Sequence, residues 1–234
     1  MPTSANPPAE ASVGDWQIYA ATARGTVHDS MGLPNQDASR HHHQQPDGPS
    51  VAAVADGHGH DRHFRSATGS AEAVRVACDA ALDWAQAQAA QAQAQQPAGD
   101  ADDAGQLLAA AQARLVPDIL RRWHAAVDAD LALRPYTVDE RQRMARHRDG
   151  PSVPYGSTLL LAVVVRRWMV FVQIGDGDIV VIRPDGQCRT PLPPDGPQAN
   201  WLTRSLCEPD ALADFRVAVH DLAGPRGRSE RART

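Results

Sequence analysis

The sequence predicts an α+β fold in which helices cover antiparallel sheets. One reason is a block of closely spaced strand patterns over residues 158–183, and another is the pair of long amphipathic helix patterns before it. Turns as short as those within the block join only antiparallel neighbours, so no parallel doubly wound sheet is expected. The sequence also lacks G-x-G-x-x-G at the start of a helix, which argues against a dinucleotide-binding fold.

The N-terminal part predicts two strands. The first is expected over residues 16–23, with a turn at Gly25. The second covers residues 51–56, where small and β-branched residues end on Asp56 and are followed by Gly57. A strand end of this kind can hold a ligand or a metal while the backbone behind it stays rigid. Asp56 is therefore the first candidate site residue.

Two helices and a meander of three strands are expected next. Apolar residues recur at helical spacing over residues 67–85 and again over residues 108–131, where Pro117 predicts a kink. The Ala/Gln-rich tract between the two patterns is expected to be a frayed helix end and a loop. The meander is predicted as three strands joined by tight turns, at about 158–165, 168–174 and 178–183.

Length, charge and cysteine content limit the functional classes. A chain of 234 residues is long enough for one domain with a sizeable core. Its net charge is −5 and its pI is near 6.0, so no nucleic-acid partner is expected. The cysteines Cys78, Cys188 and Cys207 are far apart and lack C-x-x-C spacing. This argues against a disulfide framework and against a cysteine-rich zinc site.

Both ends of the sequence are expected to lie outside the folded domain. Residues 1–14 lack a basic segment followed by an apolar core, which predicts a disordered leader and not a signal peptide. The strongly apolar runs are shorter than the roughly 20 residues needed to span a bilayer. We therefore expect a cytoplasmic protein without a membrane partner. Its domain is expected over residues 15–222, followed by a polar, basic and disordered tail over residues 223–234.

Three aspartates stand at expected strand ends or turns: Asp37, Asp56 and Asp176. Carboxylate oxygens in such places suit hard cations such as Mg²⁺ or Mn²⁺. A metal-bound water is a strong nucleophile near neutral pH, and a pair of metals can also clamp a phosphoryl oxygen. His58 follows Asp56 by two positions, where it could protonate a leaving alcohol. The residues therefore predict a metal site with an acid catalyst beside it.

Four motifs resemble, in order and spacing, those of the metal-dependent serine/threonine phosphatases of the PP2C (PPM) type in their bacterial form. They are GLPNQDA at 32–38, VADGHGH at 54–60, YGSTLLLAVV at 155–164 and VQIGDGDIVVIRPDG at 172–186. The four together are specific where one alone would be weak. The resemblance covers residues 16–221 and implies an α-β-β-α sandwich, in which two antiparallel sheets pack face to face between helices.

The resemblance also implies roles for individual residues. Asp56 would bridge two metals, the Gly57 carbonyl would bind one of them, and Asp37 would hold the second, partly through water. Asp176 resembles the residue that holds a third, weaker metal, and His58 resembles the general acid. The implied cofactors are two Mg²⁺ or Mn²⁺ ions and a weak third. The implied partners are phosphorylated proteins, the substrates of a serine/threonine kinase.

The sequence departs from the family pattern in two places. Many members carry a phosphate-binding arginine shortly after the first strand, where this chain has His28 with Arg24 close by. These two are the candidates for contacting the substrate phosphate. The family's remaining metal aspartates lie in a later Asp-Gly strand end and a terminal Asp-Asn, and neither motif follows the segment 213–225. The expectation is a domain whose C-terminal part is missing.

Less specific interpretations also fit some of these residues. Asp176 is a good turn former between glycines, and His58 also suits a hydrogen-bonded structural role. The histidines at 41–43 are expected in a solvated loop between two strands, and those at 58, 60 and 63 lack a fourth ligand for zinc. Two functions thus stay open. The intact DGH motif favours a phosphatase, and the missing later aspartates favour a catalytically impaired pseudophosphatase that binds phosphoproteins.

Overall fold

The computed structural model of the protein describes residues 17–30, 32–43, 48–94, 100–183, 185–192 and 204–222. Its strands are β1 (Asp37–His43), β2 (Ser50–Asp56), β3 (Leu159–Val165), β4 (Trp168–Ile174), β5 (Val181–Ile182), β6 (Cys188–Arg189) and β7 (Arg216–Asp221). One sheet has the order β1-β2-β3-β4-β7, and β5 pairs with β6 in a separate hairpin. Every pairing is antiparallel. The α+β class with antiparallel sheets and helices is therefore confirmed.

The helices lie mainly between β2 and β3. They are α1 (Thr26–Ser30), α2 (Ser66–Ala94), α3 (Asp100–Ala110), α4 (Val116–Leu133), α5 (Val138–His147) and α6 (Ala211–Asp214). Two short 3₁₀ turns, Asp61–His63 and Val153–Tyr155, flank this helical part of the chain. Among the described residues, no helix has both the length and the apolar character needed to cross a membrane.

One face of the five-stranded sheet packs on the helices and forms the core. Cross-strand register places Val51 opposite Val163 and Leu161 opposite Val172, and all four side chains are buried. Branched apolar residues at alternate positions fit this pleated surface, which explains why β2, β3 and β4 were predictable. Helix α2 packs across β1, β2 and β3 and covers this face.

A close backbone contact fixes α2 against the segment that leads into β3. A Cβ at Gly69 of α2 would lie 1.8 Å from the Tyr155 carbonyl oxygen, so only glycine permits this approach. The indole Nε1 of Trp123, on α4, donates to the Gly69 carbonyl oxygen at 3.0 Å. Trp123 and Tyr155 are both fully buried. One glycine thus brings two helices and a 3₁₀ turn together.

Several sequence-based predictions of secondary structure were wrong. Residues 17–25 form no strand, and residue 16 lies outside the described part of the chain. The place beside β2 is taken by β1, which pairs along the whole of β2. The predicted third strand of the meander shrinks to β5, because β7 occupies the position beside β4 where that strand was expected. Histidines 41–43 lie in β1 and not in a loop.

The helix predictions also need correction at their ends. The Ala/Gln-rich tract does not fray at its start, since α2 continues through it to residue 94. Pro117 lies in the first turn of α4, directly after a π-helical turn over Ala111–Leu115, so the expected irregularity is present there. Helix α5 was not predicted. The expected leader (1–14) and tail (223–234) lie outside the described residues.

Candidate active site

Asp37 and Asp56 are directly opposite each other where β1 begins and β2 ends. Their carboxyl groups are close enough for a hydrogen bond when one of them is protonated. Partial burial raises the pKa of Asp56 to about 6, and the hydrogen bond and negative charge of Asp37 add to the effect. Two carboxylates this close repel each other unless a proton or a cation lies between them.

The backbone of Asp56 is held by the residues that lead into β3. Its amide donates to Thr158 Oγ1 at 3.0 Å, and its carbonyl oxygen accepts from the Thr158 amide at 2.9 Å. Ser157 Oγ donates to the same carbonyl oxygen at 3.1 Å. These three bonds fix the end of β2, so the direction of the Asp56 side chain is set by rigid backbone.

Gly57 lies where only a glycine fits. A Cβ at this position would be 2.6 Å from the Gln36 carbonyl oxygen and 2.8 Å from the Ser66 carbonyl oxygen. The Gly57 amide donates to that Gln36 carbonyl at 3.1 Å, and Ser70 Oγ donates to it at 2.5 Å. Because Gln36 directly precedes Asp37, these bonds also locate the second carboxylate relative to the first.

His58 packs against His63 and the backbone of Gly156. The His58 amide donates to the Gly156 carbonyl oxygen at 3.2 Å, and the two imidazole centroids are 4.8 Å apart. His63 Nδ1 lies 2.6 Å from the Val153 carbonyl oxygen, so this nitrogen is the donor. Burial lowers the pKa of His58 to about 4, and the nearby His63 adds to the effect. The ring of His58 is therefore neutral at pH 7 in the protein alone.

Gly156 makes room for both imidazole rings. A Cβ at this position would be 2.4 Å from His63 Nδ1 and 2.9 Å from His58 Cδ2. Any larger residue would push at least one ring away. Gly156 and His63 were missed as site residues from the sequence, although Gly156 belongs to the quoted YGST motif and His63 follows the DGH motif by only five positions.

Asp176 reaches the same region from the turn after β4. Its negative charge raises the pKa of Asp56 and opposes the lowering of the His58 pKa. The turn is held at Gly175, whose φ is +104° and whose carbonyl oxygen accepts from Gln173 Nε2 and from Arg216 Nη2, each at 3.2 Å. The structure therefore places Asp37 beside Asp56, and Asp176 within electrostatic range of Asp56 and His58.

The two candidate phosphate residues have different surroundings. His28 lies near the carboxylates, because its charge lowers the pKa of Asp56 and its Nε2 would be 3.5 Å from a Cβ at Gly59. Arg24 forms an ion pair with Asp29 and donates to the Leu33 carbonyl oxygen at 3.2 Å. The described contacts of Arg24 thus lie within its own loop, and only His28 is joined to the site.

The residues that could bind a metal ion suit a hard cation, but they are few. Within the described ranges, no group of three or more His, Cys, Asp or Glu residues is arranged to hold a metal ion. The convergent ligands are the carboxylates of Asp37 and Asp56. Mg²⁺ keeps several waters and uses few protein groups, so two carboxylates fit its chemistry. A cation between them would also offset the repulsion that raises the Asp56 pKa.

The sequence matches the family model of protein phosphatase 2C over residues 24–227. The chain therefore belongs to the protein phosphatase 2C family.

The solved structures to which this chain is similar include bacterial phosphatases. A variant of a bacterial serine phosphatase is 16% identical, with a TM-score of 0.41 over 81% of this chain and 65% of that one. The Mycobacterium tuberculosis serine/threonine phosphatase PstP/Ppp is 18% identical, with a TM-score of 0.35 over 79% of this chain and 72% of that one. The chain thus spans slightly less than two thirds of the first of these proteins. No curated protein matches the sequence.

Proposed function

We propose that this chain hydrolyses phosphoserine and phosphothreonine in proteins and that the reaction depends on a divalent cation. The observation that carries the proposal is the pairing of Asp37 with Asp56 at a fixed strand end, beside His58, in a member of the protein phosphatase 2C family. A pair of carboxylates next to a buried imidazole suits phosphoester hydrolysis. No contact described above favours a purely binding role instead.

The carboxylates would hold Mg²⁺ or Mn²⁺. Asp56 would bind between the cations, Asp37 would hold one of them, and the Gly57 carbonyl and Asp176 would supply further oxygen ligands. A cation bound there supplies an activated water and neutralises charge on the phosphoryl oxygens. Because the Asp56 backbone is fixed by Thr158, this carboxylate would need little rearrangement to bind a cation.

His58 would protonate the departing serine or threonine oxygen. Its ring is neutral at pH 7 in the protein alone, because burial lowers its pKa to about 4. A phosphate monoester is a dianion near neutral pH, and its charge beside the ring would favour the protonated imidazole. His63 and the Gly156 backbone keep the ring in position, and His28 would contact the phosphate. For Arg24 to do the same, it would have to leave Asp29.

The substrates would be phosphoproteins made by serine/threonine kinases, and the reaction would take place in the cytoplasm. The proposal is tested by assaying a phosphothreonine peptide with and without Mn²⁺, in the parent chain and in Asp56→Asn. Asp128→Asn, an exposed change on α4, is the matched control. We expect Mn²⁺-dependent turnover in the parent and the control, and its loss in Asp56→Asn. Turnover that persists in Asp56→Asn, or that is absent from the parent with Mn²⁺, would contradict the proposal.

A further inference from the structure

Helix α5 presents a concentration of positive charge in a chain whose net charge is −5. Its exposed basic residues are Arg141, Arg143, Arg146, His147 and, directly after the helix, Arg148. Arg143, Arg146 and His147 are three and four positions apart, so they share one side of the helix. We call these three residues the α5 basic surface.

The α5 basic surface adjoins the loop that carries His58. The guanidinium carbon of Arg143 lies 5.7 Å from the ring centroid of Phe64, and the rings of His147 and His60 are 6.4 Å apart. The end of the helix is anchored there by Arg62 Nε, which donates to Asp149 Oδ1 at 3.0 Å. The carboxylate of Asp149 is 1% exposed, so this ion pair fixes the helix against the loop firmly.

Two acidic residues of α5 lie on the same side of the helix as this surface. Glu140, three positions before Arg143, is neutralised by Arg65, from which both its carboxylate oxygens accept at 2.9 Å. Asp139, four positions before Arg143, lies in the first turn of the helix. Among the described residues, no ion pair joins an acidic side chain to Arg143 or Arg146.

We propose that the α5 basic surface binds acidic side chains that flank the phosphorylated residue of the substrate. This inference rests on the proposed function, because it places the phosphate beside Asp56 and His58. His60 follows His58 by two positions, and His147 lies just beyond His60. The span is on the order of 13 Å, which an extended peptide crosses in about four residues. Acidic residues within four positions of the phosphothreonine would therefore reach the surface.

An acidic peptide suits this surface better than a nucleic acid. The α5 helix has 10 residues and is about 15 Å long, which covers only a short segment of an extended chain. The rest of the protein carries excess negative charge, which would repel a long polyanion. A short acidic segment next to a phosphorylated residue meets only the local positive field.

The test compares two phosphothreonine peptides, one with three glutamates within four positions of the phosphothreonine and one with glutamines in their place. Each is assayed with Mn²⁺ on the parent chain and on Arg143→Gln/Arg146→Gln. The matched control is Arg114→Gln/Arg189→Gln, which removes two exposed arginines from other elements. We expect the parent and the control to show a KM about three- to tenfold lower for the acidic peptide, with the difference shrinking at high salt. The α5 variant should lose this preference, with similar kcat for both peptides.

Equal KM values for the two peptides in the parent, or an unchanged preference in the α5 variant, would overturn the inference and leave the proposed function intact. If the parent hydrolyses neither peptide, the proposed function fails, and fluorescence anisotropy of the labelled acidic phosphopeptide still decides on the surface. Weaker binding by the α5 variant than by the control supports the inference. A single-stranded oligonucleotide that displaces the peptide at equal or lower concentration would contradict it in favour of a nucleic-acid site.

Discussion

Asp37 and Asp56 lie directly opposite each other in β1 and β2, so their carboxyl groups are close enough to share a proton. The pKa of Asp56, raised to about 6, expresses the cost of this arrangement. A folded-state pKa above the ordinary value of an aspartate means that the charged form opposes folding as the pH rises through this range. Without a bound cation, the pair is therefore a source of instability at neutral pH.

Asp56→Asn should accordingly raise the stability of the metal-free protein and weaken its binding of metal. The amide removes one negative charge and can donate to Asp37, so the metal-free variant should melt at a higher temperature than the parent at pH 7.5. Its affinity for Mn²⁺ should fall by about tenfold or more, roughly 1.4 kcal/mol, because a charged ligand is lost. Melting curves with a chelator and titration calorimetry measure the two effects. Unchanged Mn²⁺ affinity would show that Asp56 is not a metal ligand.

His58→Ala should slow the hydrolysis of substrates with poor leaving groups most. General acid catalysis contributes roughly 10²- to 10⁴-fold, so the loss on a phosphothreonine peptide should approach this range. An aryl phosphate should lose little, because a phenolate leaves without a proton. The measurement is kcat for both substrates in parent and variant. Equal losses on the two would identify His58 as a structural residue.

Gly156→Ala should disturb the imidazoles without touching the carboxylates. The added methyl would meet His63 Nδ1 at 2.4 Å and His58 Cδ2 at 2.9 Å, so the rings must move. We expect a loss of about 1–3 kcal/mol in the free energy of unfolding and a selective loss of turnover on phosphopeptide, with Mn²⁺ affinity retained. Gly150→Ala is the control, because no atom lies within 4 Å of its added Cβ. If Gly156→Ala matches Gly150→Ala in both measurements, the packing of the two rings is not as described.

Glu140→Gln should destabilise the protein in a pH-dependent manner. Hydrogen bonds from Arg65 lower the pKa of Glu140 to about 2, so its contribution is complete above the unfolded value of 4.5 and is lost as the pH falls towards 2. At pH 7 the variant should lose about 1–3 kcal/mol in the free energy of unfolding. The difference in free energy of unfolding between the variant and the parent should narrow between pH 4.5 and 3, as measured by denaturant titrations. Asp139→Asn, at the exposed neighbouring position, should have the same free energy of unfolding as the parent. A difference for Glu140→Gln that stays constant with pH would show that the charge of Glu140 is not the source of the stability.

The sequence predicted the strands whose residues are buried and β-branched. It did not predict a strand that forms only because it pairs with a neighbour. β1 reads DASRHHH, a polar edge strand without an apolar period, and only its partner β2 makes it a strand. Helix α5 also has no buried residue and is fixed by Arg65 and by a capping box between Thr137 and Glu140. The T-x-x-E signal of that box was present in the sequence.

The site was predictable to the extent that its residues belong to recognisable local motifs. Asp56, Gly57 and His58 follow one strand, and their motif identified them. Gly156 and His63 could not be found in this way, because their importance comes from a contact between segments more than ninety positions apart. Periodicity and turn chemistry report local structure, and such contacts depend on how α2 crosses the sheet.

The bonds from Ser157 and Thr158 to Asp56 join residues that are 101 and 102 positions apart. Closing so long a segment is entropically costly, and we expect these contacts to form late in folding. The carboxylate pair would then acquire its final geometry only after β3 has docked. A cation bound by the pair could therefore not increase the rate of folding. Mn²⁺ should therefore leave the refolding rate unchanged and slow unfolding, so that the ion protects the finished protein against slow inactivation. If the refolding rate measured by stopped-flow fluorescence increases with Mn²⁺, the metal site forms before the rate-limiting step.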